Sequence, residues 1–184
     1  MPEQTNPYEL TRDEIAAVVN DANGCVITWT TRDGHPGAAQ VGHVVVDGQI
    51  YVTSREGRSK NVALRRDPRT AVVFEVPGRG GVTMIGRVEF IDDPALRRRV
   101  FEAVGDLTKL SGAARETFVR NLASPGRVVL RIVAERYASR NERAAARLWL
   151  DAGDAVELPL NRSQNQLAML LTSGRISRDV TTTT

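Results

Sequence analysis

Residues 34–68 read GHPGAAQVGHVVVDGQIYVTSREGRSKNVALRRDP, and this stretch decides how the rest of the chain folds. A run from Ala38 to Val46 is followed by Asp47-Gly48 and then by Gln49 to Ser54, both runs rich in residues that favour strands. Asp-Gly between two such runs predicts a two-residue hairpin. Both central residues take positive φ at low cost, and that geometry matches the twist of the flanking strands. Beyond it the pattern changes period. Gly57 to Arg66 predicts one helix, closed at Asp67-Pro68 because the residue before proline is pushed out of the helical region.

Upstream, Cys25 to Thr31 predicts a strand and Asp33-Gly34 a turn. Before them Thr11-Arg12-Asp13-Glu14 has the form of a capping box, opening a helix through Val19 with Ile15, Val18 and Val19 on one side. Asn20 and Asn23-Gly24 end it. Downstream, Thr70 to Val76 reads as a strand and Pro77 to Gly81 as a loop. Val82 to Ile91 alternates between two faces, with Met84 and Phe90 pointing into the interior. Asp93-Pro94 supplies an N-cap followed by proline at the first helical position, and Leu96, Val100, Phe101 and Val104 then share one face. Ala113 to Leu122 predicts a further helix, and Arg127 to about Tyr137 a long final strand. The plan is an α+β fold, mainly β, with six strands and peripheral helices. Asn141 to Leu160 joins a helical-looking Ala/Arg-rich start to the apolar cluster Leu148-Trp149-Leu150. Gln164 to Leu171 reads as another short helix, and Thr181 to Thr184 are expected to fray.

A chain of 184 residues suits one domain, and an apolar fraction of 41% is enough to build its core. No apolar run approaches the roughly 20 residues that span a bilayer. Met1 to Thr11 is polar where a signal peptide needs an apolar centre, so a cytoplasmic protein with no membrane contact is expected. Cys25 is the single cysteine, which excludes an intrachain disulfide and a Cys-rich metal site. His35 and His43 fall on different elements, so no metal site is expected. A net charge of +3, with 25 basic and 22 acidic side chains, describes a solvated surface and not a nucleic-acid interface. The bases are nearly all arginine: Lys60 and Lys109 are the only lysines. No Gly-x-Ser-x-Gly elbow, His-x-x-x-His pair or Walker loop occurs. No side chain is therefore assigned as catalytic, and redox chemistry would need a borrowed cofactor.

Gly34-His35-Pro36, the Asp47-Gly48 turn, Tyr51-Val52-Thr53-Ser54, Lys60 and Leu64-Arg65-Arg66-Asp67-Pro68 together carry a family resemblance. The chain resembles the pyridoxamine-phosphate-oxidase-like FMN-binding split-barrel group over roughly residues 11–137, and particularly its branch of F420-dependent enzymes. The resemblance implies a six-stranded split β-barrel that forms a homodimer and carries two cofactors in grooves between the subunits. The cofactor it implies is coenzyme F420, a deazaflavin, with FMN as the alternative. Val52, Thr53 and Ser54 would then lie beside the ring system. Lys60 would be the phosphate lysine, Arg58 and Ser59 would add phosphate contacts, and Pro36 matches the proline before the second strand. Relatives often carry Arg-Asn immediately before the leucine that matches Leu64. Here Val62-Ala63 stand there, and Asn61 supplies the asparagine at a different register. The chain divides into a flexible N-terminus (1–10), the cofactor-binding barrel (11–140) and an extension (141–184) expected to act at an interface or as a lid.

The residues support the same site by their chemistry. Arg55-Glu56-Gly57-Arg58-Ser59-Lys60 joins a strand to a helix N-terminus, where unpaired amides and the dipole favour an anion. Ser54 and Ser59 add hydroxyl donors, and Gly57 allows close approach of backbone. The plain alternative is a solvated basic turn heading an ordinary helix. Tyr51, Tyr137 and Trp149 are weaker candidates for stacking on a ring. The function expected is an oxidoreductase that moves a hydride between F420 (or FMN) and a small conjugated organic substrate. The alternative is a non-catalytic protein that binds or senses a flavin, haem or tetrapyrrole, and fold alone does not separate the two.

Overall fold

Seven antiparallel strands form one sheet in the computed structural model, which describes residue 6 and residues 8–151, with side chains as far as 147. In chain order they are β1 (Cys25–Thr30), β2 (Pro36–Val41), β3 (His43–Val46), β4 (Gln49–Arg55), β5 (Arg69–Val76), β6 (Gly80–Ile91) and β7 (Arg127–Asn141). The helices are α1 (Arg12–Asp21), α2 (Ser59–Arg66), α3 (Pro94–Asp106), α4 (Gly112–Leu122) and α5 (Glu142–Asp151).

The strand order is β2-β1-β5-β6-β7-β4-β3, so the two edges are β2 and β3. Laid flat, seven strands at about 4.8 Å spacing would hold those edges roughly 29 Å apart. In the chain only Gly42 separates them, a reach of about 7 Å. The sheet therefore has to curl until its edges meet, which is what makes it a split barrel. This also corrects the reading of Ala38 to Val46 as one strand. The run breaks at Gly42, its first half pairing with β1 and its second with β4. Counted as one bent strand the pieces give six; counted by pairing they give seven.

Other boundaries shift for local reasons. α2 begins at Ser59 and not Gly57, because Gly57 and Arg58 belong to the turn that feeds it. β7 runs past Tyr137 to Asn141 because β6 continues to pair with it as far as Gly80. The segment after Asn141 begins as a helix. The Thr11 capping box has both of its reciprocal bonds, and Asp93 caps α3 through the Ala95 amide. Asp47 (φ 51°) and Gly48 (φ 71°) make the expected hairpin turn. Residues 8–10 are anchored: the Leu10 amide donates to Ser139 Oγ at 2.9 Å, and the Asn141 amide to the Tyr8 carbonyl at 2.8 Å. The helix expected at Gln164 to Leu171 and the end at Thr181 to Thr184 lie outside the described residues.

Alternation along the strands builds two cores. Ile50, Val52, Phe74, Val82, Met84, Leu130 and Ile132 fill the barrel, with α1 contributing Val18 and Val19; Phe90 packs at its border. The opposite faces of β4 and β7 turn Tyr51 and Val129 toward Val100 and Phe101 of α3 and Leu122 of α4. A bulge opposite Gly86 bends the β6–β7 ribbon. A Cβ there would stand 2.0 Å from the Val133 carbonyl oxygen, so only glycine permits that approach. No helix among the described residues is long and apolar enough to cross a membrane.

Candidate cofactor-binding site

β4 ends at Arg55, three residues turn the chain, and α2 starts at Ser59. The turn is held from several sides. The Glu56 amide donates to the Gly126 carbonyl at 2.8 Å and the Arg58 amide to the Arg55 carbonyl at 3.2 Å. Asn61 is fully buried under the turn, its Nδ2 donating to the carbonyls of Arg55 (2.5 Å) and Glu56 (3.4 Å). Arg65 grips the Glu56 carboxylate with two bonds, at 2.7 and 3.0 Å, which holds that carboxyl below its ordinary range. The one acid of the turn is thereby spent on fixing its shape.

What remains is cationic. Among the described residues Arg55, Arg58, Lys60 and Arg127 make no ion pair; other bases, Arg66 and Arg97 among them, also lack an acid, but these four gather where β4 hands over to α2, while Arg65, Arg69, Arg79, Arg87, Arg99, Arg115, Arg131 and Arg140 are paired. Arg55 and Arg127 are directly opposed on β4 and β7. Burial, and then the charge of Arg55, lower the Arg127 pKa; burial, and then the charge of Arg58, lower that of Lys60. Arg58 is the N-cap of α2 and offers no side-chain acceptor, so the first-turn amides at Ser59 and Lys60 are left without a cap. Buried side-chain atoms without a partner among the described residues are His43 Nδ1, Ser54 Oγ, Asn61 Oδ1 and Arg127 Nε; of these Arg127 Nε belongs to the cationic corner, while Ser54 and Asn61 face inward. Four cations and the uncapped amides form a corner that suits an anion with several acceptor oxygens.

The expected site residues divide into groups. Arg58 and Ser59 are exposed and Lys60 is half-buried at the head of α2. Thr53 is half-buried on the helix-facing side of β4, while Val52 and Ser54 point into the barrel and are buried. Asn61 faces inward as a clamp of the turn. Pro36 opposes Thr30 on the β1–β2 hairpin, whose Thr30 carbonyl accepts a 2.5 Å bond from Arg66 at the far end of α2. Within one protomer it is thus tied to the opposite end of that helix from Lys60. Arg127 is the residue missed by sequence reasoning, which places Arg55 only within the basic turn. The turn at Pro125-Gly126 puts Arg127 at the start of a strand, but its partner depends on a register between distant segments.

A curled antiparallel sheet closed through Gly42, with a cationic corner where a strand hands over to a helix, defines a split barrel. A model of the pyridoxamine 5'-phosphate oxidase family matches residues 11–141, and the chain belongs to that family. No curated protein matches it. Among solved structures it is similar to a conserved hypothetical protein from Mycobacterium tuberculosis, with 25% identity and a TM-score of 0.69 over 88% of this chain and 98% of that one. An FAD-binding protein from Mesorhizobium loti shares 22% identity and a TM-score of 0.54 over 71% of this chain and 93% of its own. A protein described as an F420 reductase shares 14% identity and a TM-score of 0.50 over 66% of this chain and 94% of its own. At these identities the last two likenesses concern the fold.

Proposed function

We propose that the chain is an oxidoreductase that binds coenzyme F420, in preference to FMN, and that the anionic tail of the cofactor rests on the corner formed by Arg55, Arg58, Lys60 and Arg127. The observation that carries the reading is that these cations share one corner and have no acid among the described residues, while Glu56 is held by Arg65. A phosphate monoester brings about two negative charges. Four cations exceed that, which favours a tail bearing a phosphodiester and further carboxylates over a single terminal phosphate.

When bound, the cofactor supplies the hydride chemistry, and the protein supplies binding, orientation and electrostatics. Lys60 acts as a point charge for the phosphate, Arg58 offers its planar guanidinium donors, and Ser59 adds a hydroxyl donor. Asn61 and the Glu56–Arg65 pair keep the turn rigid, so the site loses little conformational entropy when an anion arrives. Thr53 and the backbone around Val52 and Ser54 are placed beside the ring. The reading includes a homodimer whose subunits complete each groove, with Pro36 contributing from the β1–β2 hairpin.

Fluorescence titration of the full chain with F420 and with FMN at two salt concentrations tests the proposal. F420 should bind more tightly and lose more affinity as salt rises, since more charges are matched. Equal affinity and equal salt slope would remove the preference for the polyanionic tail. A homodimer by light scattering is expected beside it; a monomer would remove the shared groove.

A further inference from the structure

The inward wall of the sheet is unevenly covered. Met84 and Tyr137 are directly opposed on β6 and β7 and so point to the same face, yet Met84 is 4% exposed and Tyr137 55%. The ladder explains this: β4 accompanies β7 only as far as Ile132. Between α1 and the tip of the β3–β4 hairpin lies a cavity of about 580 Å³, within the range of small-molecule sites. Its walls include Ile15, Val19, Val45, Ile50, Met84 and Tyr137. A single charged side chain lines it, Arg12, with Asn20 as a polar neighbour and no acid among the described residues. Arg12 stands in the first turn of α1, the end of the helix dipole that disfavours a cation. Among the described residues it makes no ion pair. The nearby Glu14 carboxylate is taken by the amide and hydroxyl of Thr11, both at 2.9 Å.

We propose that this cavity binds an apolar organic monoanion, a carboxylate with a flat or chain-like hydrocarbon body. Its charge rests on Arg12 and its body on Ile15, Met84 and Tyr137. An apolar wall with one cation and no acid matches one negative charge at the head of an apolar body, whereas a cationic amphiphile meets repulsion and no partner. The cavity is distinct from the cationic corner, because Ile50 and Arg55 lie toward opposite ends of β4, roughly 17 Å apart. The proposal therefore stands or falls independently of the cofactor.

Calorimetric titration of the full chain with dodecanoate, below its micelle concentration, tests it, with dodecyltrimethylammonium as the matched cation. Dodecanoate should bind and the cation should not. Arg12→Gln should weaken dodecanoate about 10- to 150-fold, the loss of one charge-assisted hydrogen bond. Ala16→Trp, at an exposed position on the cavity rim, should block it while leaving the fold intact by circular dichroism. Lys60→Ala should leave dodecanoate binding unchanged, which keeps this site separate from the cofactor reading. No binding by the full chain, equal binding of anion and cation, or dodecanoate affinity that both Arg12→Gln and Ala16→Trp leave intact would overturn the proposal.

Discussion

Arg131 and Arg127 stand on the same face of β7, with Val129 between them on that face, and they are treated very differently. Arg131 opposes Tyr51 and is gripped by Glu89 of the next strand, with its Nε 3.0 Å from the carboxylate, so its pKa is raised. Arg127 opposes Arg55, has no acid among the described residues, and its pKa is lowered by burial and by that neighbour. Like charges directly across a ladder destabilise it, and opposite charges stabilise it, each by about 0.2–1 kcal/mol. The fold can complete a charged rung from its own residues, as at Arg131. The local rule is broken at the end of β4, beside an uncapped helix, and on the proposed reading an external anion would offset the like charges there. The difference between the two rungs is the contrast on which the proposed anion site rests.

Converting one rung into the other is the most severe way to break the contrast. Arg55→Glu would give Arg127 the acid that Arg131 already has. Cofactor affinity should fall by at least about 10-fold, since a charge-assisted contact worth about 1.5–3 kcal/mol is lost and repulsion is added. Denaturant unfolding of the cofactor-free protein should show a gain of about 0.2–1 kcal/mol. Undiminished affinity would detach the Arg55–Arg127 rung from the site.

The reverse change acts on the paired rung. Glu89→Gln should cost about 0.2–1 kcal/mol of stability, because the Glu89–Arg131 pair is only partly shielded from solvent. Cofactor affinity should hold. A large affinity loss would mean that the paired rung also serves the ligand.

The smallest effect is expected from Asp67, a half-buried acid that the side chain and amide of Arg69 hold down to about 2. A folded-state pKa below the ordinary value of 3.8 means that the folded chain releases this proton more readily than the unfolded one. The stabilisation is complete above about pH 4 and lost as pH falls toward 2. The wild-type advantage over Asp67→Asn should be slight at neutral pH and vanish over that window. An advantage that persists below pH 2 would contradict the assignment.

Much of this was legible in the sequence where the cause is local. The Asp47-Gly48 turn, the Thr11-Glu14 capping box and the Asp93-Pro94 helix start each rest on a few neighbouring residues, and each forms as read. Lys60 stands in the first turn of α2 for the same reason. Long-range pairing was not legible. Nothing within Ala38 to Val46 signals that its halves form the two opposite edges of the sheet, because the break at Gly42 follows from barrel closure. The opposition of Arg55 and Arg127 depends on the register of β4 against β7, which no local pattern sets. Asn61 shows a third limit. Its polarity suggests a ligand contact, but the carbonyls of Arg55 and Glu56 need donors, and its amide serves them from a buried position.

The most direct test of the cationic corner is a pair of lysine substitutions that change charge equally. Lys60→Ala and Lys109→Ala are compared with the wild type by fluorescence titration of F420 at matched salt. Loss of Lys60 should weaken binding by roughly 10- to 150-fold with the fold intact, and loss of Lys109 should change nothing. Equal affinities for Lys60→Ala and the wild type would place the phosphate elsewhere and contradict the site.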